Sequence, residues 1–292
     1  MNERLSIGTV EIKADGPTGI NIIRDLSESE YTTFKQSDDA LNEFKIHQKL
    51  TKVMNKNYEE TLNFIKPALG NMAYKFHRID GLTSDEAETL IAEANRVLLN
   101  YLGSFNMVLD HLKTFLKRKF GENSPEYKQY KSLTAYFFDH NFPYRFVYHL
   151  RHYALHCGFP IDDLRFDSKV NHHNQSMHIG YEFGFNSKRL LKNFDWHWKI
   201  KEDLTQTALD EFDVNEIVKR AHITVLEVGK QMEFKKSKHL INAANFLKEL
   251  TAPYKTDTIE VCLFYDTPQN DSDKLILDIK HIPMDIVDYI LS

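Results

Sequence analysis

The stretch from Thr83 to Gly121, TSDEAETLIAEANRVLLNYLGSFNMVLDHLKTFLKRKFG, constrains the fold more than any other. Thr83 and Glu86 have the spacing of a capping box, in which hydroxyl and carboxylate each serve a backbone N–H at a helix start. Behind them Ala94, Leu98, Tyr101, Phe105, Val108, Leu112 and Phe115 recur at alternating steps of four and three, the period of one helix face. Lys117, Arg118 and Lys119 suit the negative helix end, and Gly121 can cap it. A helix this long with a continuous apolar seam must be covered by other helices.

Candidates for that cover flank it. From about Asp38 the helical period runs through DDALNEFKIHQKLTKVM and NYEETLNFIKPALGNMAYKF, with Pro67 as a break or kink. Ser124 and Pro125 open a helix carrying Tyr127, Tyr130, Leu133, Phe137 and Phe138, and a short break at HNFP leads into another over roughly 143–157, stopped by Gly158 and Pro160. Short connections make successive helices antiparallel neighbours, so the expected core is an up-and-down bundle.

Strand-period segments surround it. RLSIGTVEI alternates and ends at a Gly-Pro turn, with GINIIRDLS as its candidate partner. Met177, Ile179, Tyr181, Phe183 and Phe185 alternate with polar residues or glycine. Ile259, Val261, Leu263 and Tyr265 face Leu275, Leu277 and Ile279 across a polar loop. These strands could form one small sheet beside the bundle, with a pairing that the sequence leaves open. A helical block from Asp213 carries Val214, Ile217, Val218, Ala221, Val225, Val228 and Met232, and HLINAANFLKEL continues it. The fold class expected is mainly α, α+β overall, in three segments: strands and a short helix over 1–37, the bundle over 38–160, and a strand–helix–hairpin extension over 161–292.

Composition excludes some functions. With 292 residues, 42% of them hydrophobic, the chain can bury a full core, and a formal charge of −5 argues against a surface coated for nonspecific duplex binding. The two cysteines, Cys157 and Cys262, make no disulfide framework and no C-x-x-C motif. MNERLSIGTVEIKADG lacks a basic-then-apolar leader pattern, and no apolar run reaches membrane-span length. A cytoplasmic protein with no membrane contact is the expectation.

The chemistry concentrates in NFPYRFVYHLRHYALHCGFP, residues 141–160. On a helix, Arg145, His149, His152 and His156 fall within about 60° of one another, while Phe146, Leu150, Tyr153 and Cys157 lie towards the core. Such a stripe is solvated, paired with carboxylates, or directed at an anion. Histidine can move a proton near neutral pH and arginine can hold a phosphate, the two tasks of phosphodiester cleavage.

RHYALH, Arg151–His156, resembles the motif of the HEPN-domain superfamily, an arginine and a histidine with four to six residues between them on a late helix of a helical bundle. The wider run also resembles the pattern YRFLYxLRNYxQHxGLP of certain bacterial proteins, with His152 standing where that pattern has asparagine. The resemblance covers roughly residues 40–160. It implies a metal-independent endoribonuclease needing no cofactor, with Arg151 holding the scissile phosphate, His156 activating the ribose 2′-hydroxyl or protonating the leaving oxygen, and Arg145, His149 and His152 binding substrate. It further implies RNA as substrate, a homodimer, and toxin or phage-defence roles with an antitoxin or regulatory partner. Other family members are catalytically silent modules that bind a protein or nucleotide. Residues five apart on a straight helix point about 140° from each other. A single straight helix therefore separates Arg151 from His156: Arg151 must curl around, the helix must unwind near its end, or the working pair is Arg145 with His152, which share a face, and a two-fold dimer that brings two copies of the helix together is the expected remedy.

Competing sites are weaker. His172, His173 and His178, with Asp167 nearby, could serve a metal-dependent hydrolase, but they lack regular zinc-ligand spacing and read as an exposed loop. The two tryptophans of WHW, Trp196 and Trp198, read as core anchors rather than a base-stacking platform.

Overall fold

The computed structural model describes residues 5–13, 16–65, 83–171, 176–206, 211–232, 237–256, 259–266 and 277–292. Along the chain come β1 (Leu5–Lys13), β2 (Gly16–Asp25), α1 (Glu28–Ile65), α2 (Ser84–Phe120), α3 (Pro125–His140) and α4 (Phe142–His156). They are followed by β3 (Ile161–Asn171), β4 (Ser176–Asn186), α5 (Ser187–Asn193), α6 (Trp198–Gln206) and β5 (Glu211–Asp213). Last are α7 (Val214–Gln231), α8 (Lys238–Thr251), β6 (Ile259–Asp266), β7 (Leu277–His281) and α9 (Met284–Leu291). The protein is mainly helical with small antiparallel sheets. No described helix is long and apolar enough to cross a membrane.

The helix starts follow from local chemistry. Thr83 Oγ1 accepts from the Glu86 N–H while Glu86 Oε2 accepts from the Thr83 N–H, completing the capping box of α2. Ser124 caps α3 with Pro125 in its first turn, and Gly121 ends α2 at φ 87°, a conformation that glycine adopts without steric cost. As far as Ile65, the two helical segments expected from Asp38 onwards form a single helix, α1, that begins earlier. Ser27 and Glu30 form a reciprocal cap at its start, a signal present in the sequence as SESE. Pro67 lies outside the described residues.

Two compact units emerge, Met1–Ile46 with Glu233–Ser292, and His47–Met232. This division differs from breaks near residues 37 and 160, because strand pairing joins segments remote in sequence. In the first unit β1 is hydrogen-bonded to β2 on one side and to β6 on the other, giving the antiparallel order β2-β1-β6-β7. β3, β4 and β5 form a separate sheet, so the strands make two sheets rather than one. β3 answers to no alternation read from the sequence. HLINAANFLKEL is the separate helix α8, capped by Ser237, rather than a continuation of α7.

One face of the four-stranded sheet carries Leu5, Ile7, Val261 and Leu263 into a core with Phe34, Leu41 and Phe44 of α1, Leu240 and Leu247 of α8, and Val287 and Ile290 of α9. The opposite face bears a smaller cluster of Val10, Cys262 and Phe264. Gly8 is required there. A Cβ on it would stand 2.5 Å from the Asn21 carbonyl oxygen and 2.7 Å from the Phe264 ring.

In the second unit α4 packs against α2, α3, α6 and α7. The predicted seam of α2 is buried from Ala94 to Leu112, although Leu116 rather than Phe115 completes it. All seven predicted apolar positions of the α7 block are buried.

Candidate functional site

α4 is held at both ends. Asn141 Oδ1 accepts from the Tyr144 N–H at 3.0 Å, and its amide donates to Thr224 Oγ1 of α7 at 2.9 Å. At the other end the Cys157 N–H reaches the Tyr153 carbonyl, and Gly158 leaves the helix at φ 116°. Phe146, Leu150 and Tyr153 are fully buried. The Trp196 ring stacks on Phe146 and on Tyr153 at centroid distances of 5.5 and 5.7 Å, and its indole N–H donates to the Leu190 carbonyl. Trp196 is thus a core anchor as expected, but Trp198 is 62% exposed and is not. Cys157 is only half-buried and its thiol donates to the Asn193 carbonyl.

This packing sorts the five site residues into three groups. Arg145 is buried, with Nε and Nη2 each 2.6 Å from an oxygen of Asp203 on α6 and Nη1 donating to the Phe138 and Asp139 carbonyls. A bidentate carboxylate and two carbonyls use nearly all of a guanidinium's donors. The group that the sequence assigns to substrate binding is committed inside the fold, because its partner lies on a helix that spacing along α4 cannot reveal.

His149 sits at the edge of the core against Phe138, at 5.7 Å between ring centres, with His152 at 6.1 Å and His197 at 6.3 Å. Burial lowers its pKa to about 4, with the charges of His152 and His197 acting in the same direction. His149 is therefore neutral at pH 7. His197, overlooked in the sequence, accepts the Lys199 N–H at Nδ1 and packs edge-on to Phe138 at 5.1 Å.

Arg151, His152 and His156 form the third group. His152 and His156 are exposed and Arg151 is half-buried. Arg151 has no hydrogen bond or ion pair among the described residues. α4 continues unbroken through His156, so the 140° separation between Arg151 and His156 persists. The structure brings the histidines to one side and leaves Arg151 on the other flank, one turn from Leu155, which is 64% exposed. Phe159, 56% exposed, follows just beyond the helix end.

Two further polar clusters escaped the sequence. His222 of α7 is buried and stacks on Tyr58 of α1 at 3.7 Å between ring centres, with Tyr101 of α2 at 5.9 Å. His222 Nδ1 and the Tyr101 hydroxyl have no hydrogen-bond partner among the described residues. Burial lowers the His222 pKa to about 4. In the other unit, Glu260, Cys262 and His281 meet on β6 and β7. Of the competing metal candidates, His172 and His173 lie outside the described residues, while Asp167 and His178 fall on β3 and β4.

No protein-family model, curated protein or solved structure matches the chain.

Proposed function

We propose that the exposed end of α4 binds RNA, and that the protein is a metal-independent endoribonuclease of HEPN type, acting in the cytoplasm, whose reacting groups come from two copies of the chain. The observation that carries this reading is the state of Arg151. Arg145 is consumed by Asp203, whereas Arg151 keeps its donors free of described partners beside the exposed Leu155 and Phe159. A second copy covering that apolar pair would bring its own His156 or His152 towards Arg151, which a single helix cannot do. Arg151 would then hold the scissile phosphate, while a histidine across the interface exchanges protons with the 2′-hydroxyl and the leaving oxygen.

The test mixes variants. Arg151→Ala and His156→Ala should each abolish cleavage alone and recover part of it when combined, with 2′,3′-cyclic phosphate ends and full activity in EDTA. A monomer cleaving at nanomolar concentration, or cleavage lost to EDTA and restored by zinc, overturns the proposal. A second reading has its own support: the bidentate Arg145–Asp203 pair and the splayed Arg151 and His156 suit a catalytically silent module that binds a protein or nucleotide partner. It predicts that the parent binds a protein or nucleotide partner and cleaves no RNA under any of these conditions.

A further inference from the structure

The sheet of the first unit places three chemically different donors at one point. Cys262 and His281 are directly paired across β6 and β7, and Glu260 lies two residues before Cys262, hence on the same side of the pleat. His281 Nδ1 stands 3.5 Å from Cys262 Sγ and 2.9 Å from Glu260 Oε1. All three donor atoms lie within 4.8 Å of one another.

The arrangement is not a nucleophile with its base. In such a relay one imidazole nitrogen faces the thiol and the other faces the orienting carboxylate. Here the same nitrogen meets both partners, and the sulfur belongs to a fully buried residue packed with Val10 and Phe264. Three donor atoms within 4.8 Å of one another are close enough to share one ion. Ligands about 2.0–2.3 Å from a tetrahedral zinc stand about 3.3–3.6 Å apart, so the sulfur–nitrogen separation already fits and the nitrogen–oxygen pair must open by about 0.4 Å. Thiolate and carboxylate together balance a divalent charge, and the sulfur favours a borderline-soft metal over calcium or magnesium.

We infer that Glu260, Cys262 and His281 bind a divalent transition metal, zinc by donor chemistry, with the fourth position open on the solvent side, where His281 is 61% exposed. Binding exchanges the thiol proton for the metal: the Cys262 S–H bond breaks, a metal–sulfur bond forms, and one proton passes to solvent, while the imidazole carries its remaining proton on Nε2. The site would link β6 to β7 beside the strand that β1 contributes.

The experiment uses the full chain, stripped with EDTA and titrated with zinc chloride or cobalt chloride. One metal per chain is expected, with a thiolate-to-cobalt charge-transfer band that disappears in Cys262→Ser and persists in Cys157→Ser. His281→Ala, at an exposed position, should weaken zinc binding at least about 100-fold, beyond the loss typical of an outer-shell partner. No charge-transfer band in the folded parent, or a band and affinity unchanged in His281→Ala, overturns the assignment. So does equal affinity in Cys262→Ser, which would place the metal on other histidines.

Discussion

α4 and the β6–β7 hairpin use histidine in opposite ways. On α4 the rings of His149 and His152, neighbours one turn apart, lie 6.1 Å apart between centres and share no hydrogen bond. On the hairpin, strand pairing sets His281 opposite Cys262 and brings nitrogen to sulfur at 3.5 Å. A helix displays groups to something outside it, whereas paired strands converge groups on each other. On the readings proposed above, the helix would complete its site with a second copy, and the hairpin with an ion alone.

The strongest way to break this contrast is at the one basic residue of α4 that does converge. Arg145→Ala leaves Asp203 without its bidentate partner and should cost about 3 kcal/mol in urea denaturation, a loss that Arg145→Met with Asp203→Leu should partly recover. A change below about 0.5 kcal/mol would mean that the pair does not fasten α4 to α6. Next in size is acid sensitivity. His222 has a folded pKa near 4 against about 6.5 unfolded, so the unfolded chain binds the proton first. Stability contributed by the neutral form is intact above pH 6.5 and is lost as pH falls towards 4, on the order of 2–3 kcal/mol. His222→Phe should flatten that slope in melts run from pH 7 to 4.5, and an unchanged slope would assign acid sensitivity elsewhere. The smallest stability effect belongs to the displayed groups. Arg151→Ala should change stability by less than about 0.5 kcal/mol while removing RNA binding, and loss of folded protein would show that Arg151 is structural.

What the sequence reveals depends on how local the cause is. Thr83 with Glu86, Ser124 with Pro125, and the alternation leading to Phe183 and Phe185 act over a few residues and are readable directly. The Arg145–Asp203 pair joins residues 58 apart, so the stripe on α4 could be seen but not the carboxylate that claims its first member. His222 passes as one more position on an amphipathic helix until Tyr58 and Tyr101 close over it. Glu260 and Cys262 share a strand face in any reading, yet their meeting with His281 depends on a register fixed across residues 267–276, which lie outside the described structure. β3 escaped because IDDLRFDSKVN is polar for a strand, and its start is fixed by Asn95 of α2, whose buried amide pairs with both backbone groups of Ile161.

The pairing of β1 with β6 also sets an order of events during synthesis. The β1–β2 hairpin emerges from the ribosome before the helices of the other unit, which follow as one continuous stretch that can fold while translation proceeds. The strand edge that β6 will occupy stays open until the helices of the other unit and α8 have been made. During that interval the nascent hairpin presents the unpaired edge of β1 and, on β2, the exposed Ile20, Ile22 and Ile23, the combination that recruits chaperones or a neighbouring chain.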